Sequence, residues 1–297
     1  MKKKAQVLMI FLWILAILTL LAVGLGYRVS LSSRVIGYQR DRVRGAYLAE
    51  GVMNTAIVKL DKDTNDYDAL SASWAQAQET PESNCTIIDE ERKIDINGIA
   101  KEYLLALLEK LEIPEAEDLT NNILAWRGDS SPAIPAESKD YDELGYICKG
   151  AKFSNIEELM LVKGMNSEIY QKIIPLVTVF SPGNVNINTV SQDVLDILLR
   201  GAAKRVGVTE SYADSLAEKI ITSRNSSVFT ATSDIHNMVF PLLGDEEKNI
   251  FTAFESRLII KSDNFLIEVS ANAGKINNRL TVIYNRSGKK IVYWHGQ

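Results

Sequence analysis

Hydrophobic and polar positions divide this chain into an apolar start, a helical middle and an alternating end. From Val7 to Tyr27 the residues are uncharged and almost wholly apolar. A helix of that length, rising about 1.5 Å per residue, crosses the ~30 Å hydrocarbon layer of a bilayer. Lys2, Lys3 and Lys4 precede the run, and short basic flanks stay on the cytoplasmic side, so the remainder is expected to face outward. Beyond it, Val35, Tyr38, Arg42, Ala46, Ala49, Met53, Ala56 and Leu60 recur at steps of three and four, the spacing of one face of a continuing helix. A secretory signal peptide cut near Ala22–Gly24 or Gly24–Gly26 is the competing reading. The apolar run exceeds the ~7 to 15 residues of such a core, and no helix breaker follows it, which favours a retained anchor and stalk.

After Leu60 the pattern changes. Asp61 to Ser83 is polar and reads as loop, Thr86–Ile88 as a short extended segment leading to Ile94–Asn97. Tyr103, Leu104, Leu107, Leu108 and Leu111 then form a helical face ended by Pro114, and Leu119, Ile123, Leu124 and Trp126 predict a second helix. Roughly 90 residues later the pattern returns. Ile94-Asp95-Ile96-Asn97 parallels Val185-Asn186-Ile187-Asn188, the run Tyr103–Leu108 parallels Val194–Leu199, Arg127 matches Arg224, and Phe153 matches Phe229. Two related helical units are expected, with Asn97 and Asn188 placed to start a turn or cap the following helix. Leu176–Phe180 alternates like a strand between them. At the end of the chain, Phe265–Ala271, Leu280–Tyr284 and Lys290–Trp294 are β-rich segments separated by turn residues, which predicts a small antiparallel meander.

Charge and reactive residues narrow the function. The formal net charge is −5, yet basic residues concentrate near the amino terminus, so the exterior is more acidic than the total and disfavours broad phosphate binding. The two histidines, His236 and His295, have no Cys or carboxylate at metal-ligand spacing, and no nucleophile motif is present, so no enzyme is expected. Cys85 and Cys148 are the two cysteines; an oxidising compartment permits a bridge, and the alternative is two separate, partly buried thiols. Asp129, Glu137, Asp140 and Asp142 gather oxygen ligands on a Pro-containing stretch, a candidate Ca²⁺ site whose spacing matches no EF-hand and whose alternative is a solvated acidic loop.

The basic leader, the apolar helix beside it and the amphipathic extension ending in Tyr47-Leu48-Ala49-Glu50-Gly51 resemble the type IV pilin and type II secretion pseudopilin class. That resemblance implies a prepilin peptidase cut at Ala5–Gln6, although both residues depart from the usual choice, and methylation of the new amino terminus. Most members carry Glu five residues after the cut, where its carboxylate offsets a neighbouring subunit's terminal amine in a low-dielectric bundle. This chain has Ile10 there. With the large exterior, Val185-Asn186-Ile187-Asn188-Thr189 and Glu158-Leu159 running to Lys163-Gly164, the chain resembles the general secretion pathway protein K family of minor pseudopilins. The same helical motifs also resemble helix-hairpin-helix modules, and the alternative function is a membrane-anchored periplasmic DNA-binding protein. Against it, the second unit lacks a compact Gly-hydrophobic-Gly hairpin and Glu157, Glu158 and Glu168 flank the first.

The resemblance implies an α+β fold: a pilin-like long amino-terminal helix on a small antiparallel sheet, carrying an inserted region of two related SAM-like or helix-hairpin-helix-like units. The expected divisions are leader 1–5, transmembrane segment 6–27, stalk and start of the pilin-like domain 28–92, helical units 93–181 and 182–255, and meander 256–297. It also implies a non-enzymatic subunit at the tip of the type II secretion pseudopilus, initiating or capping assembly. Its partners would be minor pseudopilins I and J, the prepilin peptidase and the bacterial inner membrane, with no nucleic acid. No cofactor is required, and calcium belongs to the family's helical region.

Processing is the first testable consequence. The mass of the mature protein should place its amino terminus at Gln6; a start at Leu25 or Tyr27 would instead mark a cleaved signal peptide.

Overall fold

The computed structural model describes residues 2–129 and 135–296, apart from the side chains of residues 2–8, 136 and 138. Helix α1 (Lys2–Asp61) is continuous, because no proline interrupts its hydrogen-bond ladder. The face expected to be buried is only half used. Gly45, Ala49, Met53, Ala56 and Leu60 are buried, whereas Val35, Tyr38, Arg42 and Ala46 are exposed. The reach of the sheet sets this limit: its hairpin at Ala273–Ile276 meets α1 at Gly45, where an added Cβ would lie 1.9 Å from the Asn278 amide, and at Asp41, beside Gly274.

Strands β1 (Gln78–Glu79) and β2 (Ser83–Asp89) follow a loop that buries Trp74. Alternation in β2 sends Ser83, Cys85, Ile87 and Asp89 inward. The first helical unit then opens with β3 (Ile94–Asp95), continues through α2 (Lys101–Lys110), α3 (Ala116–Trp126) and α4 (Ser167–Ile173), and closes with β4 (Val177–Thr178). The second opens with β5 (Val185–Asn186), continues through α5 (Gln192–Val206), α6 (Ser211–Ser226), α7 (Thr232–Val239) and α8 (Asp245–Phe254), and closes with β6 (Leu258–Ile259). Each unit is clasped by a short parallel pair, β3 with β4 and β5 with β6. Of the segment Leu176–Phe180, only Val177 and Thr178 pair, because β3 offers two residues.

Strands β7 (Asn264–Ala273), β8 (Ile276–Asn285) and β9 (Lys290–Gly296) complete an antiparallel sheet in the order β1-β2-β7-β8-β9. The fold is thus α+β and pilin-like, as expected. Strands β2 and β7 are direct partners, Ser83 opposite Ala271 and Asp89 opposite Phe265, although residues 90–263 intervene. The helical units are therefore an insertion between adjacent strands. They leave the sheet beside the carboxy-terminal end of α1, where Tyr284, opposite Phe265, donates its hydroxyl to Asp61 at 2.8 Å. The β7–β8 hairpin lies at the other end of the sheet, nearer the apolar run. The head consequently sits at the end of the pilin-like domain farthest from the anchor.

Two separate cores result. In one, Ala49, Met53, Ala56 and Leu60 pack on Cys85, Ile87, Phe265, Ile267, Val269 and Val282. Full burial of a side chain such as Leu60 stabilises by about 2 kcal/mol. The other core is shared by both helical units, chiefly through α2 against α5. There Gly201 admits Tyr103 so closely that an added Cβ would lie 2.6 Å from the Tyr103 Cα. Lys110–Asp196 at 2.6 Å and Lys204–Glu109 at 2.8 Å flank the same contact.

The internal repeat extends to individual hydrogen bonds. Asp95 accepts from the Asn97 amide at 3.0 Å, and Asn186 accepts from the Asn188 amide at 3.0 Å. These second-position side chains, not Asn97 and Asn188, make the Asx turns. Asn97 and Asn188 reach across their units instead. Each side-chain amide grips one residue's backbone at both polar groups: Asn97 holds the N–H and C=O of Phe153, and Asn188 those of Phe229. Arg127 donates to the Ile96 carbonyl at 2.7 Å, and Arg224 to the Ile187 and Val190 carbonyls at 3.1 and 2.6 Å. The repeated residues are a clasp that ties each opening strand to its unit's third quarter.

Two substitutions test this packing. Asn188→Ala strands buried backbone groups of Phe229 and should destabilise by about 1–3 kcal/mol, with Asn97→Ala costing less because water reaches that half-buried site. Gly201→Ala should also destabilise by about 1–3 kcal/mol, by forcing α2 and α5 apart. Shifts in denaturant midpoint at unchanged m-value are the measurement.

Candidate functional site: anchor, stalk and head joint

From Met9 to Leu25 the anchor presents apolar side chains to its surroundings apart from Thr19, whose hydroxyl donates to the Ala16 carbonyl at 2.8 Å. Ile10 is 60% exposed, and Phe11, Leu12, Trp13, Ile14 and Leu15 beside it are equally open. Ala5 and Gln6 lie in α1, but their side chains fall outside the described residues. Met9 to Asp61 is long and apolar enough in its first part to cross a membrane. Past the apolar run, Val29, Leu31, Val35, Ile36, Tyr38 and Val43 remain exposed. A soluble monomer rarely leaves so much contiguous apolar surface open, and the apolar part of α1 fits a transmembrane anchor.

At its far end the stalk carries a buried polar joint. Asp89, the last residue of β2, is 1% exposed. Its Oδ1 accepts from the Glu91 amide at 2.8 Å, and its Oδ2 accepts from Asn186 Nδ2 at 3.1 Å, Thr189 Oγ1 at 2.5 Å and Ser262 Oγ at 2.7 Å. Asn186 and Thr189 belong to the second unit's opening motif, whereas Ser262 leads into β7. One carboxylate therefore joins the sheet's exit, its re-entry and the inserted head.

The surrounding groups complete the seam. Asp68 is held by Arg286, whose Nη1 lies 3.0 Å from Oδ1, and Asp68 also accepts from the Ser262 amide at 2.8 Å. Arg286 donates to the Ser262 carbonyl and lies 4.9 Å from the Phe265 ring centroid. Glu91 accepts from the Asp263 amide at 2.6 Å and from Asn264 Nδ2 at 2.8 Å. Glu90 pairs with Lys93 at 2.7 Å and accepts from Thr178 of β4, so the first unit is tied in as well. Burial pushes the Asp89 carboxyl up to about 6 against the hydroxyls and amide that stabilise its charge. Burial, and then the neighbouring Asp89, push Glu91 up to about 7.

Other sequence-derived candidates fare differently. Cys85 and Cys148 do not pair: both are free, Cys85 in the sheet core and Cys148 against the helical core. Burial lifts the Cys85 thiol to about 11, so it stays protonated. The four acidic residues of the calcium expectation are engaged elsewhere or face solvent. Asp129 turns both oxygens onto Arg127, at 2.8 Å each, while Glu137, Asp140 and Asp142 are exposed. Among the described residues no group of three or more His, Cys, Asp or Glu side chains is placed to hold a metal ion. His236 pairs with Glu255 at 3.0 Å and stacks on Phe240, a packing role. The hairpin motif is also spent on packing, since Leu159 and Val162 are buried. Arg127 and Arg224 point into carbonyls, and Arg200 and Lys204 face Asp196, Asp214, Glu109 and Glu210 rather than a phosphate track.

The sequence reading missed the joint itself. A signal was present: three consecutive acids, Asp89-Glu90-Glu91, directly follow the alternating strand Ser83–Ile88. Their burial depends on Ser262, Asn264 and Arg286, some 170 residues away or more in the chain.

Comparison with known proteins agrees with this architecture. The family model for protein K of the type II secretion system matches residues 62–182, from the loop after α1 to the turn after the first unit. Type II secretion system protein K of Klebsiella pneumoniae is 24% identical over 221 residues, which cover 65% of this chain and 68% of that protein. A solved structure, the GspK–GspI–GspJ complex of the enterotoxigenic Escherichia coli type 2 secretion system, contains a chain with the same fold. It superposes at a TM-score of 0.67 with 17% identity, covering 87% of this chain and 98% of that one. With its pilin-like sheet, its twice-repeated clasp and this matched segment, the chain is similar to protein K of the type II secretion system.

Proposed function

We propose that this protein is a non-enzymatic minor pseudopilin that initiates or caps the type II secretion pseudopilus from its tip. In this reading α1 anchors it in the bacterial inner membrane, and the bulk of the chain lies in the periplasm. The observation that carries the reading is the position of the head: it grows from the end of the sheet farthest from the apolar helix. A subunit stacked above would meet two fused helical units where an ordinary pilin-like domain ends.

Ile10 adds an electrostatic reason for terminal placement. In a helix bundle of low dielectric, an amine without a facing carboxylate is costly. A chain carrying Ile10 offers no carboxylate to a neighbour, so it is tolerated best where one axial neighbour is missing. Cleavage at Ala5–Gln6 by prepilin peptidase would free the helix to enter that bundle. Partners follow from the likeness to a chain crystallised with GspI and GspJ: the corresponding minor pseudopilins I and J of the same system are the expected neighbours. The exposed row Leu31, Val35 and Tyr38 is the surface on which their helices would pack.

Immunogold labelling of assembled pseudopili is the test. Label should appear at one end, and Ile10→Glu alone should not move it onto the shaft, since the head still obstructs stacking. Regular labelling along the filament would refute tip placement, and failure to copurify with the I and J subunits would refute the partnership.

A further inference from the structure

Two carboxylates at the head joint lack a cation. Asp68 has Arg286 and Glu90 has Lys93, yet among the described residues neither Asp89 nor Glu91 forms an ion pair. The groups facing Asp89 are Asp68 from the loop after α1, Glu91 from the turn after β2, Asn186 and Thr189 from the head, and Ser262 before β7. Those facing Glu91 are Asp89, Asp263 and Asn264. Each buried carboxylate thus sees further acids and neutral donors. Ionised, both depend on hydrogen bonds alone to offset lost hydration.

The donor set also accepts a proton without rearranging the chain. Two of the three donors on Asp89 Oδ2 are hydroxyls, which rotate. Thr189 Oγ1 lies 3.4 Å from the Asn186 carbonyl, an alternative acceptor. When Asp89 takes a proton from solvent, the Thr189 hydroxyl can turn to that carbonyl and accept from the new carboxylic acid. We infer that the joint is a proton-linked latch: Asp89 and Glu91 take up protons while the head is seated on the sheet, so acidification tightens the seam and rising pH loosens it.

The direction follows from linkage. Both groups bind protons more readily in the seated head than in open chain, so the stabilisation is complete below about pH 4. It is lost as pH rises through about 6 for Asp89 and about 7 for Glu91. Neither Ile10 nor filament position enters this inference, so it stands or falls apart from the tip reading.

Hydrogen exchange by mass spectrometry, on the full-length chain in detergent micelles between pH 5 and 8, is the test. After correction for intrinsic exchange, seam peptides covering Glu90–Lys93, Val185–Thr189 and Lys261–Asn264 should be about tenfold better protected at pH 5.5 than at pH 8. Peptides from α6, remote from the joint, should show no such trend. Glu91→Gln should flatten the response near pH 7, and Asp89→Asn should flatten it near pH 6. Uniform pH dependence across the chain, a flat wild-type profile, or a wild-type slope in Glu91→Gln would each overturn the latch. Glu91→Gln, whose amide keeps an acceptor for Asn264, decides the matter even if Asp89→Asn does not fold.

Discussion

The burial of Asp89 at the end of β2 is the constraint on which the connection between stalk and head depends. A carboxylate removed from water costs several kcal/mol, and each hydrogen bond to its charge returns about 1.5–3 kcal/mol. Four donors surround Asp89, from the turn after β2, the head motif and the approach to β7. No one of these segments satisfies the carboxylate alone. Seating the head, closing the β2–β7 ladder and ordering the loop through Asp68 therefore reinforce one another.

This arrangement suits a protein with two cores. An insertion of residues 90–263 enters and leaves the sheet at neighbouring strands, so the chain crosses between cores only at the joint. Within the insertion the duplicated units are not independent beads. Their first helices, α2 and α5, pack directly, with Gly201 against Tyr103, and their apolar residues form one continuous core. Each unit's parallel strand pair and Asn clasp close it locally, while α2 against α5 holds the pair together. The result is a broad head fixed at one end of a slender domain.

Much of the architecture was legible in the pattern of residues. The anchor, the stalk helix, the three β-rich segments at the end and the pairing of Asn97 with Asn188 across a repeat all have local signatures. Motif equivalences Arg127 to Arg224 and Phe153 to Phe229 correspond to equivalent hydrogen bonds. Roles within the motifs were less accessible. Asn97 and Asn188 resemble caps because Asn so often serves a local turn, yet Asp95 and Asn186 already occupy that turn, which frees the later Asn for a partner 41 or 56 residues away. The Cys85–Cys148 pairing is plausible by count alone and is set aside by position, since the thiols lie in different cores, while in the acidic loop Asp129 is paired with Arg127.

Sequence by itself determined what depends on near neighbours: where the chain is helical or extended, which stretch is apolar enough to cross a membrane, and that one unit is present twice. Those properties follow from periodicity, turn chemistry and hydropathy, which act over a few residues. Only the tertiary structure decided how far up α1 the sheet reaches, that the head leaves from the end remote from the anchor, and that Asp89 and Glu91 are buried with no ion pair among the described residues. Their surroundings are assembled from Asp68, Asn186, Ser262, Asn264 and Arg286, residues that no local rule brings together, and desolvation is a property of that assembly.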